Sequence, residues 1–434
     1  MARAKHRYSL MLALTLGAFV PGPGRAEDQQ DLPPYKMLRS LQFVQDSVVL
    51  GDNSAAEMQR FLLTTLDERL RSADKTVFDD SRNVDAVLIY AMSGGNPSTL
   101  EYLMSRDVNG HFDSRVADVL RKYLTGKGLL VVNTMVDVAK EYRDKKIGPY
   151  LSLVAGNVMS AKNPKAALQL YDWARLAAPG TIVEEAALRR SIALATEAKM
   201  VPEGFSYSQR YVRRFLHSPY ASQFADLFVQ LVVDDSAGVN PQDVIDILSF
   251  MDPPRRREVY LRIARRAAIS GKNELATMAS SRAREIASDD SEAFGALASL
   301  YGGVANISTP DVGVAIRNIN QIPDGELNPR DRALRDAAKA MAEAVTRAPD
   351  LKSLTQASSS NVVKPETAEH DAAAAAKAPG EKSSGSASVK PGTATEVATQ
   401  DGGGQDAASP FNTFVTTSRS KLDAIDGLLK QESH

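Results

Sequence analysis

The chain has 434 residues, 52 basic and 53 acidic side chains, five histidines and no cysteine. The absence of cysteine excludes a disulfide framework, thiolate catalysis, thiolate metal sites and a lipoprotein anchor. The near-balanced charge argues against a nucleic-acid partner, and the length fits two ordinary domains or one long repeat domain.

The first segment reads as an export signal. Arg3, Lys5, His6 and Arg7 form a basic start, Leu10 to Val20 is an uncharged and mostly apolar run, and Pro21-Gly22-Pro23-Gly24-Arg25-Ala26 leads into Glu27-Asp28. This order predicts a secretory signal peptide over residues 1–26, cleaved after Ala26, with Gly24 and Ala26 as the small positions. The run is too short to cross a bilayer, and no later segment reaches ~18 apolar residues, so no membrane insertion is expected after cleavage. No twin-arginine pair precedes the run, which favours the general secretion route. The expected mature chain begins with a short extension over residues 27–34 and is soluble, which in a two-membrane bacterium means periplasmic. Losing Arg3, Lys5, Arg7 and Arg25 moves its net charge from −1 to −5.

Residues 35–350 read as helix after helix, rich in alanine, leucine, arginine and glutamate. In Asn163 to Pro179, Ala167, Leu170, Tyr171, Ala174, Ala177 and Ala178 fall on one broad face. Asn96-Pro97, Asn163-Pro164 and Asn240-Pro241 have the form of a cap followed by proline at the first helical position. Pro179-Gly180 and Ala348-Pro349 read as stops. A phrase recurs ahead of helices: Gly51-Asp52-Asn53, Gly94-Gly95-Asn96, Ala161-Lys162-Asn163 and Gly271-Lys272-Asn273. Small residues follow it at helical spacing, as in Ala276, Ala283 and Ala287. This predicts an all-α, irregular helical-hairpin solenoid resembling tetratricopeptide or Sel1-like units, in which small residues let hairpins stack. The alternative is another all-α packing, since the phrases do not recur at a constant interval. Val84 to Tyr90 and Leu129 to Val132 have β-like composition, and in this context buried helix is the expectation for both.

Composition changes near Leu351. Residues 351–409 are dominated by alanine, serine, glycine, threonine, lysine and proline, which predicts a disordered low-complexity linker. Residues 410–434 carry Phe411, Phe414, Val415, Leu422, Ile425, Leu428 and Leu429 after Ser409-Pro410, an amphipathic-helix pattern. That helix either folds back on the main domain or docks on a partner in a groove.

No motif in the chain specifies an active site, and no cofactor is expected. Gly-x-Ser-x-Gly, His-Glu-x-x-His, phosphate-loop and dinucleotide patterns are missing. Ser72 with Lys75 and Ser418 with Lys421 have acyl-transfer spacing but lack the companion motifs. Asp79-Asp80 and Asp289-Asp290 lack the alternating oxygens and central glycine of a calcium loop. The strongest charge cluster is Arg255-Arg256-Arg257, continued by Arg262, Arg265 and Arg266, with a weaker one at Arg210, Arg213 and Arg214. The first cluster is either a solvated helix paired with nearby acids such as Glu258 or a basic patch for an acidic partner segment or cell-wall polymer. Trp173 is expected to pack between helices rather than stack on a ligand.

The wording of the chain is more specific than its chemistry. The stretch from Pro34 through Tyr35-Lys36-Met37-Leu38-Arg39 to Gly51-Asp52 resembles the mature start of the MotC family of periplasmic motility proteins of rhizobial-type bacteria. So do Ala55 to Gln59, Val84 to Pro97, Tyr150 to Asn157 and Leu170 to Arg175. The resemblance implies a non-enzymatic part in flagellar rotation, with the periplasmic region of the stator subunit MotB as partner. It brings no catalytic residues. Rival readings are a general periplasmic scaffold or chaperone, an accessory subunit of a peptidoglycan-modifying enzyme, and a solute-binding protein, the last disfavoured because alternating strands and helices are not evident.

Overall fold

The structure is a computed structural model that describes residues 32–235, 238–286 and 291–347. The expected signal peptide, the linker over 351–409 and the amphipathic segment over 410–434 lie outside the described residues. Within the described residues the chain forms seventeen α-helices and no strand.

The first seven are α1 (Pro34–Val49), α2 (Ala55–Ser72), α3 (Ser81–Met92), α4 (Pro97–Arg106), α5 (Ser114–Leu124), α6 (Val132–Glu141) and α7 (Gly148–Met159). Next come α8 (Pro164–Ala177), α9 (Ile182–Glu197), α10 (Val201–Val212), α11 (Ala221–Asp234) and α12 (Pro241–Leu248). The last five are α13 (Pro253–Ile269), α14 (Asn273–Glu285), α15 (Ser291–Asn306), α16 (Val312–Asn320) and α17 (Pro329–Thr346). Helices adjacent in the chain are adjacent in space: α1 packs on α2, α7 on α8, α8 on α9, α9 on α10, α13 on α14 and α14 on α15.

The recurring phrase has a backbone cause. Gly51, Gly94 and Gly271 adopt φ of 112°, 89° and 68°, the left-handed region in which a side chain is strained. After each, an amide reaches back five residues: Asp52 N–H to Ser47 O, Gly95 N–H to Tyr90 O and Lys272 N–H to Ala267 O. This is the Schellman stop, which satisfies carbonyls left open at a helix end. The following polar residue helps start the next helix. Asn96, Asn163 and Asn240 cap α4, α8 and α12, their side-chain oxygens accepting from the amides of Ser98, Ala166 and Gln242. The phrase therefore marks a stop-and-start turn. Asn273 departs from it, being the first residue of α14 rather than its cap.

Two apolar cores hold these helices. Leu41, Leu66, Leu70, Val87, Leu120, Met135 and Leu151 belong to one, built from α1 to α7. Tyr211, Phe215, Phe224, Phe228, Leu231 and Ile263 belong to the other, centred on α8 to α15. Tyr150 and Met159 of α7 pack against both. In the second core the rings of Tyr211 and Phe224 stack at 4.4 Å. Small residues sit where helices approach. Ala167, Ala174, Ala276, Ala279 and Ala283 are buried, and a Cβ added to Gly156 of α7 would stand 2.5 Å from the ring of Tyr171 on α8.

Of the two β-like runs, Val84 to Tyr90 lies in buried helix α3 as expected. The other is a correction. Residues Gly128–Val131 form a short 3-10 turn, and Leu129 and Leu130 are 62% and 78% exposed. The cause is Gly126, whose φ of 77° ends α5, so too few residues remain before α6 to build a buried helix. Val131 and Val132 alone turn inward.

Candidate binding face on helix α13

Helix α13 opens at Asp252, whose carboxylate accepts from the Arg255 amide. Val259, Tyr260, Ile263, Ala264 and Ala267 form its core face. Glu258, Arg262, Arg265 and Ile269 follow at spacings of four, three and four and are the less buried line, since side chains so spaced share a helix face.

The arginines of the 255–266 cluster turn to different neighbours. Arg255 donates from Nη1 to the Leu216 carbonyl. Arg262 meets Asp226 of α11, with Glu258 3.9 Å away. Arg266 reaches Asp234 of α11 at 2.7 Å. Arg265 turns toward α17, its Nε 3.2 Å from Asp331. Arg256 is half-buried, and Arg257 is buried with its guanidinium 4.0 Å from the Phe294 ring centre. Pairing with neighbouring acids, Glu258 among them, is what the geometry displays. The remaining predicted residues, Phe411, Phe414, Leu422, Ile425 and Leu429, lie outside the described residues.

The structure does bring Arg262 and Arg265 to the edge of a cleft of about 320 Å³. Its walls are α13, α15 and the start of α17. Leu261, Phe294, Leu297 and Tyr301 supply apolar surface, and Arg262, Arg265 and Arg330 supply charge. Asp331 sits beneath, 3% exposed. It accepts from the Tyr301 hydroxyl at 3.1 Å and from Asn328 Nδ2 at 2.5 Å. Burial, with the Asp331 charge second, pushes the Tyr301 pKa up. Asn328 also caps α17, accepting from the amides of Arg330 and Asp331. Sequence reasoning missed Phe294, Leu297, Tyr301 and Arg330. Their signal is weak, because an apolar line at helical spacing is also what any core helix carries.

Other residues flagged in the sequence have structural employment. Trp173 is half-buried beside the first core, with the Arg143 guanidinium 4.6 Å from its ring. Ser72 donates to the Arg69 carbonyl. Asp80 caps α3 by accepting from the Arg82 amide, and Asp79 pairs with His111 at 2.8 Å. Asp289 and Asp290 lie outside the described residues. Among the described residues no three His, Asp or Glu side chains are grouped to hold a metal, and no helix is long and apolar enough to cross a membrane.

Comparison with known proteins places the chain. The family model described as "Chemotaxis protein MotC" matches residues 1–434. The chemotaxis protein MotC of Rhizobium meliloti (strain 1021) is 51% identical over 412 residues, covering 95% of each chain. No solved structure matches. The chain belongs to the MotC family of chemotaxis proteins, and its role lies in motility.

Proposed function

We propose that the protein is exported to the periplasm and acts without catalysis in flagellar motor rotation. It does so by binding the periplasmic part of the stator subunit MotB and promoting its active or correctly folded state. The observation that carries this reading is family membership across the whole chain. The basic, apolar-centred pattern of residues 1–26 supports export. The absence of recognised catalytic motifs from the sequence supports a binding role. A binding protein shifts its partner's conformation only by binding one state more tightly than the other. The proposal therefore requires unequal affinity for active and inactive stator.

The test begins with an in-frame deletion strain, scored for swimming, with filaments counted by electron microscopy and the gene restored in trans. Normal filaments that do not turn are expected. Unimpaired swimming, or loss of filaments, overturns a role in rotation. Co-purification with the periplasmic region of MotB then tests the partner, and the mature N-terminus of protein recovered from the periplasmic fraction tests export.

A further inference from the structure

We propose that the cleft between α13, α15 and the start of α17 is a docking site for an acidic polypeptide segment that inserts one or two bulky apolar side chains. The inference rests on the partner-binding reading above and assigns that binding a place and a chemistry. The cleft's apolar surface comes from Leu261, Phe294, Leu297 and Tyr301, two of which, Phe294 and Leu297, are only half-buried. Apolar surface held open beside charged side chains is the composition of a recognition site, where an anchor gives affinity and the surrounding charge gives orientation. At about 320 Å³ the space suits side chains rather than a large cofactor.

The surrounding charge selects the sign of the partner. Arg262, Arg265 and Arg330 face Glu258 and Asp331. Asp331 is buried and already held by Arg265, Tyr301 and Asn328, so it offers little to a visitor. The acids around Arg262, Asp226 and Glu258, are 66% and 65% exposed. Such solvent-screened pairs are weak, and an incoming carboxylate can replace either. Arg330 is exposed and has no ion pair among the described residues. A cell-wall glycan fits less well. Sugars stack on open aromatic faces, and one face of Phe294 is covered by the Arg257 guanidinium.

The experiment uses the full mature chain and its Arg262→Glu/Arg330→Glu double variant, both checked for helicity and thermal midpoint. Three probes are measured by fluorescence anisotropy or pull-down: a labelled 16-residue peptide of glutamate, leucine and phenylalanine at helical spacing with its lysine-for-glutamate counterpart, the purified periplasmic region of MotB, and peptidoglycan sacculi. The expected result is salt-sensitive binding of the acidic peptide, at least tenfold weaker for the variant, and no binding of the lysine peptide. The stator region should lose affinity in parallel. Equal binding of the stator region by both proteins overturns the cleft and leaves the partner reading intact. Failure of the stator region to bind, with arginine-dependent binding of the acidic peptide, overturns the partner reading and leaves the cleft. Indifference to peptide charge, no acidic-peptide binding, or arginine-dependent capture of sacculi alone overturns the proposal.

Discussion

Removing the carboxylate of Glu185 is the sharpest test of how the second core is held. Glu185 on α9 is fully buried and accepts from Arg189 Nε at 2.9 Å, Arg189 Nη2 at 3.2 Å and the Tyr211 hydroxyl at 3.0 Å. Arg189 is nearly buried, donates to Gln223 at 2.9 Å and lies 4.6 Å from the Tyr220 ring centre. Glu185→Ala leaves that guanidinium in the core without its counter-charge. Loss of one partner of a buried pair costs about 3–5 kcal/mol. At roughly 2–4 °C per kcal/mol the thermal midpoint falls by about 6–20 °C. Replacing both charges, as in Glu185→Leu with Arg189→Met, removes the desolvation of both and should recover most of the loss. The Tyr211 hydroxyl then lacks this acceptor, leaving a deficit of about 1 kcal/mol. Circular dichroism melts at pH 7 distinguish the cases. A single-variant shift under about 2 °C, or a double variant no better than the single, refutes the reasoning.

Three further outcomes are expected. His111 donates between Asp79, with Nε2 2.8 Å away, and Asp107, with Nδ1 at 3.2 Å, and hydrogen bonding to Asp79 first raises its pKa. Its stabilising contribution is therefore complete below the unfolded value of about 6.5 and is lost as pH rises through the raised value. Urea midpoints from pH 5 to 9 should show that slope, and His111→Gln should flatten it. Gly156→Ala gains about 1 kcal/mol of helix propensity but drives a methyl into the buried Tyr171 ring. Overpacking at about 1–3 kcal/mol wins, so a variant more stable than the parent contradicts the α7–α8 packing. Asp46 of α1 accepts from the Ile182 amide at the start of α9 at 2.9 Å, and burial, outweighing that bond, raises its pKa. Stability from this group is highest below about pH 3.9 and falls as pH rises through the raised value. Asp46→Asn should be at least as stable as the parent at pH 7, whereas Asp46→Ala should lose about 1 kcal/mol, both read by chemical denaturation.

Much of the fold was readable because its rules are local. The Asn-Pro starts appear as caps at Asn96, Asn163 and Asn240, since a cap needs only the two or three residues after it. Ala167, Ala174, Ala276 and Ala283, placed at helical spacing, are buried at helix contacts, whereas Ala177 at the end of α8 is exposed and Ala178 half-buried. Val84 to Tyr90 was resolved by its neighbours rather than by its β-like composition. Leu129 and Leu130 show where the same logic fails. Their apolar character suggested burial, yet a left-handed glycine four residues before Leu130 shortened the segment to a turn. The recurring Gly-x-Asn wording is a related case. It is a chemical requirement of stopping one helix and starting another, so its repetition reports the number of such turns and carries no fixed repeat length.

The arginines of α13 mark the boundary between what a line of sequence and a folded surface can say. Adjacent in the chain, Arg262, Arg265 and Arg266 look like one electrostatic feature. Folding sends Arg262 and Arg266 to acids of α11 and Arg265 to an acid of α17. The acids are 32 to 66 residues away in sequence for Arg266 and Arg265, beyond the reach of any helical spacing rule. Conversely, Arg330 stands in the sequence among alternating charges, in Arg330-Asp331-Arg332. It becomes distinctive because α17 begins beside the apolar surface of α15 and because, among the described residues, no acid pairs with it. Charge recognises a partner only where it remains unspent next to surface that a partner can bury. On that criterion Arg330 stands at the cleft edge with no ion pair among the described residues, and Arg262, whose acids are 66% and 65% exposed, is the arginine most readily re-paired, so substitution at these two is where binding and folding should separate.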